Sequence, residues 1–238
     1  MPAKKNRHIH EIKTLAEDKC NFVLLSAGRP KIRGVKSAFP LVSVRGKKLV
    51  DLQIEVIRKS CKHPLIYVVV GHEHEECIDH LRDKHPDVKI VHNNNANDTD
   101  VFASLKMALN VLDPIDTVIV YGDRIFNTPA ISPLSRNRSV LFTHTKDRKS
   151  KTPGLSYNED GLINISYGLE SVWSEIIYLC GGDFDIFRTY ANNSRRHRVY
   201  SILRFLSDMS KKIHFDVASE GVVVKTIKDL KNEHIAIE

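Results

Sequence analysis

Two stretches of the sequence hold side chains suited to phosphate chemistry. The first is Leu24-Leu25-Ser26-Ala27-Gly28-Arg29-Pro30-Lys31-Ile32-Arg33-Gly34-Val35-Lys36. Small residues at Ser26, Ala27 and Gly28 let backbone N–H groups approach a phosphate, and Lys31, Arg33 and Lys36 supply neutralising charge. The same composition also suits an ordinary basic surface loop. It is neither the G-x-G-x-x-G dinucleotide fingerprint nor a G-K-[ST] P-loop. The second stretch is Tyr121-Gly122-Asp123. A carboxylate facing a phosphate loop is a natural ligand for Mg2+, which takes few protein carboxylates and completes its shell with substrate oxygens. Gly-Asp is equally a common turn pair.

Three further constellations have a plainer alternative each. His72-x-His74-x-x-Cys77-x-x-His80 has spacings that suit zinc, but on one helix these side chains share no single face. The plainer account puts Cys77 in the core and the histidines in water. Arg195-Arg196-His197-Arg198 with Tyr200 suits an anionic polymer or a basic turn before a helix. Cys180-Gly181-Gly182-Asp183 suits an acceptor-site loop or a simple turn.

The elements around these residues alternate. Residues 22–26, 65–70, 88–92 and 117–121 are short apolar runs of the kind that form strands covered on both faces. Residues 50–61, 73–85 and 100–112 carry apolar positions at helical spacing. The order β-α-β-α-β-α-β implies an α/β fold with a doubly wound, mostly parallel sheet between layers of helices. Right-handed crossovers put the strand C-termini, and so the basic loop and Asp123, on one edge, where ligands bind in such sheets. In the second half, residues 139–143, 162–166, 175–179 and 222–224 suggest strands, and residues 184–190, 199–209 and 226–231 suggest helices. Strands with longer connections imply a mixed extension of the sheet. Residues 1–20 are polar, with a weak helix over 10–19, and form an extension. Residues 21–238 form a single domain, since no Gly-, Ser- or Pro-rich linker divides them.

Composition narrows the class. With 238 residues, 42% of them hydrophobic, the chain can bury a core without staples. The four cysteines form no C-x-x-C pair, which disfavours a disulfide framework or a zinc ribbon. No apolar run is long enough for a membrane span, and no signal sequence is evident, so the expectation is a cytoplasmic protein. The net charge of +7 allows an anionic partner but selects none. No nucleic-acid-binding motif appears, and no specific nucleic acid is expected.

The segments taken in order carry a resemblance. Residues 24–28, the basic loop, Pro40-Leu41 and Val44-x-Gly46-Lys47 resemble the opening L-A-A-G-x-G-x-R…K-P-L-x-x-V-x-G-K-P-L of the sugar-nucleotide pyrophosphorylase and cytidylyltransferase superfamily. Val70-Gly71-His72-x-x-Glu75 is similar to its G-Y-x-x-E entry. His92-Asn93 with residues 100–105 is similar to its Y-N…N-x-x-S-L stretch. Gly122-Asp123 resembles its Gly-Asp metal site, residues 158–165 its N-x-x-G-x-I-x-x-I hairpin, and residues 226–230 its closing T-P-E-D-L. The likeness spans residues 22 to 232, and the short phosphocholine cytidylyltransferase-like enzymes look nearest. Three positions depart from the pattern. Pro30 replaces the second loop glycine, Phe39 a phosphate-binding lysine, and Lys225 the second metal-binding aspartate.

The resemblance implies a GT-A-like fold and transfer of an NMP from an NTP, CTP by the nearest subfamily, to a phosphorylated small molecule, with release of pyrophosphate. It implies Mg2+ at Asp123, with Asp216 the nearest alternative for a second ligand. Arg33, Lys36 and the backbone at Ala27 and Gly28 would hold the triphosphate, with Ser26, Ser104 and Gly122 also at the nucleotide. Phe39 and Lys225 favour a different outcome, a nucleotide-binding or scaffold protein with degraded chemistry. A glycosyltransferase of the same fold is disfavoured because Gly122-Asp123-Arg124 is not Asp-x-Asp.

Overall fold

Phe22, Val23, Leu24 and Leu25 are all buried, and their side chains point alternately into two cores. This is the signature of a strand with no solvent face. The computed structural model describes residues 16–30, 37–128, 131, 138–145, 153–157, 163–169, 171–194, 201–218 and 224–226. Its elements are β1 (Ala16–Leu25), a 3-10 turn (Phe39–Leu41), β2 (Ser43–Val44), β3 (Lys47–Lys48), α1 (Leu49–Ser60), β4 (Cys61–Val70), α2 (His74–Lys84), β5 (Lys89–His92), α3 (Val101–Leu109), β6 (Thr117–Tyr121), β7 (Arg124–Phe126), β8 (Ser139–Thr145), β9 (Gly154–Tyr157), β10 (Ile163–Ser166), β11 (Ser171–Leu179), α4 (Gly181–Asn193), α5 (Ser201–Met209), β12 (Phe215–Ala218) and β13 (Val224–Thr226).

The main sheet runs β10-β9-β11-β6-β1-β4-β5, with β8 joined to β11 and β12 to β8. Strands β6, β1, β4 and β5 are parallel neighbours. Strand β11 reverses the direction against β6, and the antiparallel pairs β8–β11 and β9–β10 extend the sheet. The mixed, mostly parallel α/β sheet expected from the sequence is therefore present. One face carries α1 and α2, whose Val50, Ile54, Ile57, Cys77 and Leu81 pack on Phe22, Leu24, Ile66 and Val68. The other face carries α3, α4 and α5, through Phe102, Leu105, Phe184, Phe187, Phe205 and Met209. Each helix buries the stripe that its 3.6-residue period brings to one side.

The structure corrects the reading of the N-terminal stretch. Residues 16–19, expected in a helix, belong to β1 and pair with β4, Ala16 opposite Cys61 and Lys19 opposite His63. The strand thus starts inside the stretch read as an extension. A ladder to β4 outweighs a weak helical preference, as tertiary pairing commonly does. The closing segment also differs, because Val224–Thr226 is a strand paired with β7 and the helix expected from Thr226 lies, beyond that residue, outside the described residues. Among the described residues, no helix is long and apolar enough to cross a membrane.

Candidate active site

In this sheet β1 lies between β4, which follows it in the chain, and β6, which comes later. The chain winds to one side of β1 and then to the other, so a crevice opens where β1 and β6 end. Backbone hydrogen bonds continue past the strand ends and fix that edge. Gly122 N donates to Leu25 O at 3.0 Å, Ser26 N to Val69 O at 3.0 Å, and His72 N to Ala27 O at 2.9 Å. Two glycines make the approach possible. A Cβ on Gly122 would fall 2.1 Å from Ser26 Oγ and 2.6 Å from Ser26 Cα. A Cβ on Gly71 would fall 2.3 Å from Ala96 Cβ and 2.8 Å from Ala27 O.

A cavity of about 190 Å³ opens at this edge. Leu25, Ala27 and Gly28 line it from the end of β1, and Tyr121, Gly122 and Asp123 from the end of β6. Thr99, Asp100, Val101 and Ser104, from the start of α3, close it. Phe39 stands at the rim near Gly28. The structure thus brings Ala27, Gly28, Ser104, Gly122 and Asp123 together, where chain order put the first loop and Asp123 on one edge and the resemblance added Ser104. Ser26 stands behind this lining. Its side chain is buried against Gly122, its Oγ has no hydrogen-bond partner, and it does not line the cavity. Arg33 and Lys36 lie outside the described residues.

Asn93 organises the α3 side. It is buried, and its Nδ2 donates to Thr99 Oγ1 at 3.1 Å and to Ser104 Oγ at 3.0 Å. Ser104 Oγ is thereby fixed as an acceptor from Asn93, and its own O–H points its donor elsewhere. Asp100 caps α3, its Oδ1 accepting from Phe102 N and Ala103 N, both at 3.1 Å. Burial pushes the Tyr121 hydroxyl up, so it stays protonated.

The Asp123 side rests on residues that sequence reasoning missed. Gln53, 2% exposed in α1, donates from Nε2 to Gly122 O at 3.0 Å and to Arg124 O at 2.8 Å. It brackets Asp123 from below. The signal was a polar residue inside the apolar stripe of α1. Arg124 is 8% exposed and forms a close ion pair with Glu175. Glu175 sits at an irregularity of β11 with φ +58. A non-glycine residue held there is strained, and such strain is kept where surrounding contacts impose it. Arg124 Nη1 is buried without a hydrogen-bond partner, 3.6 Å from Asp123 Oδ2. Nothing in the sequence links Arg124 to Glu175.

Asp123 keeps a side chain 33% exposed at the cavity. The Arg124 contact is too long for a hydrogen bond, so the carboxylate retains lone pairs for another cation. One hard oxygen ligand fits Mg2+ where substrate phosphates complete the shell. The structure does not bring Asp216 to it. Asp216 pairs with Val140 in the β12–β8 ladder, several strands from β6 and at the level of Val118, the far end of the sheet from Asp123. It meets His214 at 3.4 Å and Arg138 at 3.9 Å instead. Lys225 lies opposite Ile125 in the β13–β7 ladder, and Ile125 follows Asp123 closely in the chain.

The remaining motifs fall elsewhere. His72, His74, Cys77 and His80 do not converge. Cys77 is in the core with burial pushing its thiol up to about 12, His74 stacks on His92 at 4.0 Å, and His80 turns to Asp51. Cys180 is the N-cap of α4 and residues 181–183 are its first turn, at the opposite end of the sheet, where Gly181 N donates to Asp116 Oδ1 at 2.8 Å. Residues 195–200 lie outside the described residues.

With this geometry in place, solved structures of similar shape are informative. CTP:phosphocholine cytidylyltransferase from Streptococcus pneumoniae (LicC) superposes with TM-score 0.71 at 18% identity, covering 91% of this chain and 96% of that one. The chain has the fold of the nucleotidyltransferases. Inositol-1-phosphate CTP transferase from T. maritima superposes with TM-score 0.66 at 12% identity, covering 90% and 91%. HddC from Yersinia pseudotuberculosis, complexed with GMP-PN, superposes with TM-score 0.64 at 13% identity, covering 90% and 96%. No protein-family model matches the sequence, and no curated protein matches it.

Proposed function

We propose that the protein is a nucleotidyltransferase that moves an NMP from an NTP to a phosphorylated small molecule and releases pyrophosphate. The observation that carries this is the cavity between the ends of β1 and β6, with the Asp123 carboxylate at its rim. The shared fold supports it, since two of the similar structures are named for CTP-dependent transfer to phosphocholine and inositol 1-phosphate. CTP is the nucleotide we favour on that basis.

The cavity is smaller than the roughly 300–1,000 Å³ typical of ligand pockets. It suits a base and part of a sugar, with Ser104 and Thr99 as polar partners beside Val101 and Tyr121. The phosphates then lie toward Gly28 and Asp123. An oxygen of the acceptor phosphate attacks the α-phosphorus in line, the bond to the β-phosphate oxygen breaks, and pyrophosphate leaves with the electron pair. The acceptor is already ionised near neutral pH, so no general base is required. The protein contributes position and charge neutralisation. Asp123 is the residue that would hold Mg2+, which supplies positive charge at the transferring phosphoryl group.

A catalytically silent nucleotide-binding protein is the second reading. The Phe39 ring at the rim and Lys225 near Asp123 favour it. The test is pyrophosphate release with Mg2+ and each of the four NTPs against phosphocholine, sugar 1-phosphates and related acceptors. Release that needs one NTP, one acceptor and Asp123 is expected, with Asp123→Asn inactive but equally stable. Full activity in Asp123→Asn overturns the site assignment. Thermal stabilisation by an NTP without turnover on any acceptor supports the second reading.

A further inference from the structure

We propose that Asp51, His80 and His85 form a binding site for a divalent ion of the zinc class, separate from the cavity at Asp123. Asp51 stands in the first turn of α1, His80 on α2, and His85 directly after α2. Both imidazole Nε2 atoms converge on one oxygen, Asp51 Oδ1, at 2.9 Å from His80 and 2.8 Å from His85. Ligand atoms from the three residues lie within 4.8 Å of one another. Among the described residues, no other trio of histidine, cysteine or acidic side chains converges in this way.

The donor set is two neutral nitrogens and a carboxylate oxygen, which suits Zn2+ with water in the fourth position. Donors at about 2.0–2.1 Å around a tetrahedral ion stand roughly 3.3 Å apart. The observed 2.8 and 2.9 Å fall short of that by about half an ångström, a gap that a small turn of each ring closes. The three side chains are 25%, 19% and 11% exposed, so an ion can enter while two helices hold the ligands.

The protons are also accounted for. Arg58 Nη1 lies 3.3 Å from His85 Nδ1. A guanidinium only donates, so Nδ1 accepts and Nε2 holds the ring proton. When each Nε2 gives its lone pair to the ion, its proton passes through solvent to Nδ1 of the same ring, at His80 as at His85, and both rings stay neutral. Arg58 then keeps Asp87 alone, already 2.7 Å from its Nη2. An ion seated here ties α1 to α2 close in sequence to Gln53, the side chain that brackets Asp123.

The test is a titration of Co2+, then competing Zn2+, into the metal-free full chain, beside His80→Gln, His85→Gln and the double variant. One equivalent of Co2+ with the visible absorption of a four-coordinate centre is expected, displaced by Zn2+. Each single variant should weaken binding by at least about 100-fold. In wild-type protein, long-range proton–nitrogen spectra should show the His85 proton moving from Nε2 to Nδ1 as Zn2+ is added. Failure of the wild type to bind one equivalent overturns the proposal, and this does not depend on any variant folding. Undiminished binding in the double variant overturns it as well, because other histidines then hold the ion. No nucleotide or turnover enters these measurements, so the result is independent of the proposed transferase activity.

Discussion

Gln53→Met removes the side-chain donor that holds the backbone on either side of Asp123 while keeping nearly the same volume. Gln53 Nε2 donates to two carbonyls, at 3.0 and 2.8 Å, in a fully buried setting. Leaving buried acceptors without a donor costs about 1–3 kcal/mol each. The substitution also removes Gln53 Oε1, itself buried without a partner, which returns a similar amount for one group. The balance is a loss of about 1–3 kcal/mol. For a chain of this size that lowers the melting temperature by about 3–9 °C. A thermal melt reads it directly, and the pyrophosphate assay should show kcat falling with little change in stability-corrected NTP binding. Gln53→Glu sharpens the test. A carboxyl facing two carbonyl oxygens in the core is held protonated, so its pKa in the folded chain rises above the ordinary value of about 4.3. A raised folded pKa means stability is greatest below the unfolded value and is lost as pH rises toward the folded one. Gln53→Glu should therefore melt much lower at pH 8 than at pH 5, relative to wild type at each pH. A Gln53→Met protein that melts with wild type, or a Gln53→Glu penalty independent of pH, refutes the assignment of Gln53 as the donor that holds this turn.

Gly122→Ala places a methyl 2.1 Å from Ser26 Oγ and 2.6 Å from Ser26 Cα, and backbone cannot yield there. We expect a loss of about 3 kcal/mol, at the upper end of overpacking penalties, seen as a lower melting temperature and lost NTP-induced stabilisation. The thiols of Cys20, Cys61 and Cys77 are buried and pushed up by desolvation, Cys77 to about 12, so little thiolate forms near neutral pH. Native-state alkylation followed by mass spectrometry should label Cys180, the partly exposed one, well before the other three.

How much of this was legible follows from burial. Residues 22–26, 65–70 and 117–121 stand out in the sequence because their strands have no solvent face, and apolar continuity is then forced. Short edge elements leave no such mark. β7 and β13 are three residues each and are set by their pairing with one another, not by any pattern within them. The cavity wall from Ala27 to Asp123 was legible because chain winding puts all parallel C-termini on one edge. The parts that fix Asp123 were not. Arg124 meets Glu175 only after folding, and charged residues in sequence carry no sign of their partners. Asp216 shows the limit of nearness along the chain, since strand register rather than sequence distance decides which end of the sheet a side chain reaches.

The place of β1 at the centre of the sheet has a consequence for how the chain is made. Asn21 ends up buried, bonded to Thr117 Oγ1 from 96 residues further on. At about 5–20 residues per second on the ribosome, roughly 5–20 s pass between the emergence of β1 and that of β6. During that interval β4 can cover one edge of Phe22–Leu25, while the other edge stands open as a flat apolar template for other chains. Nascent chains are thus open to edge-to-edge association until β6 arrives. Variants that weaken the β1–β6 seam, Gly122→Ala among them, should lose soluble yield in the cell more steeply than their melting temperatures alone would suggest.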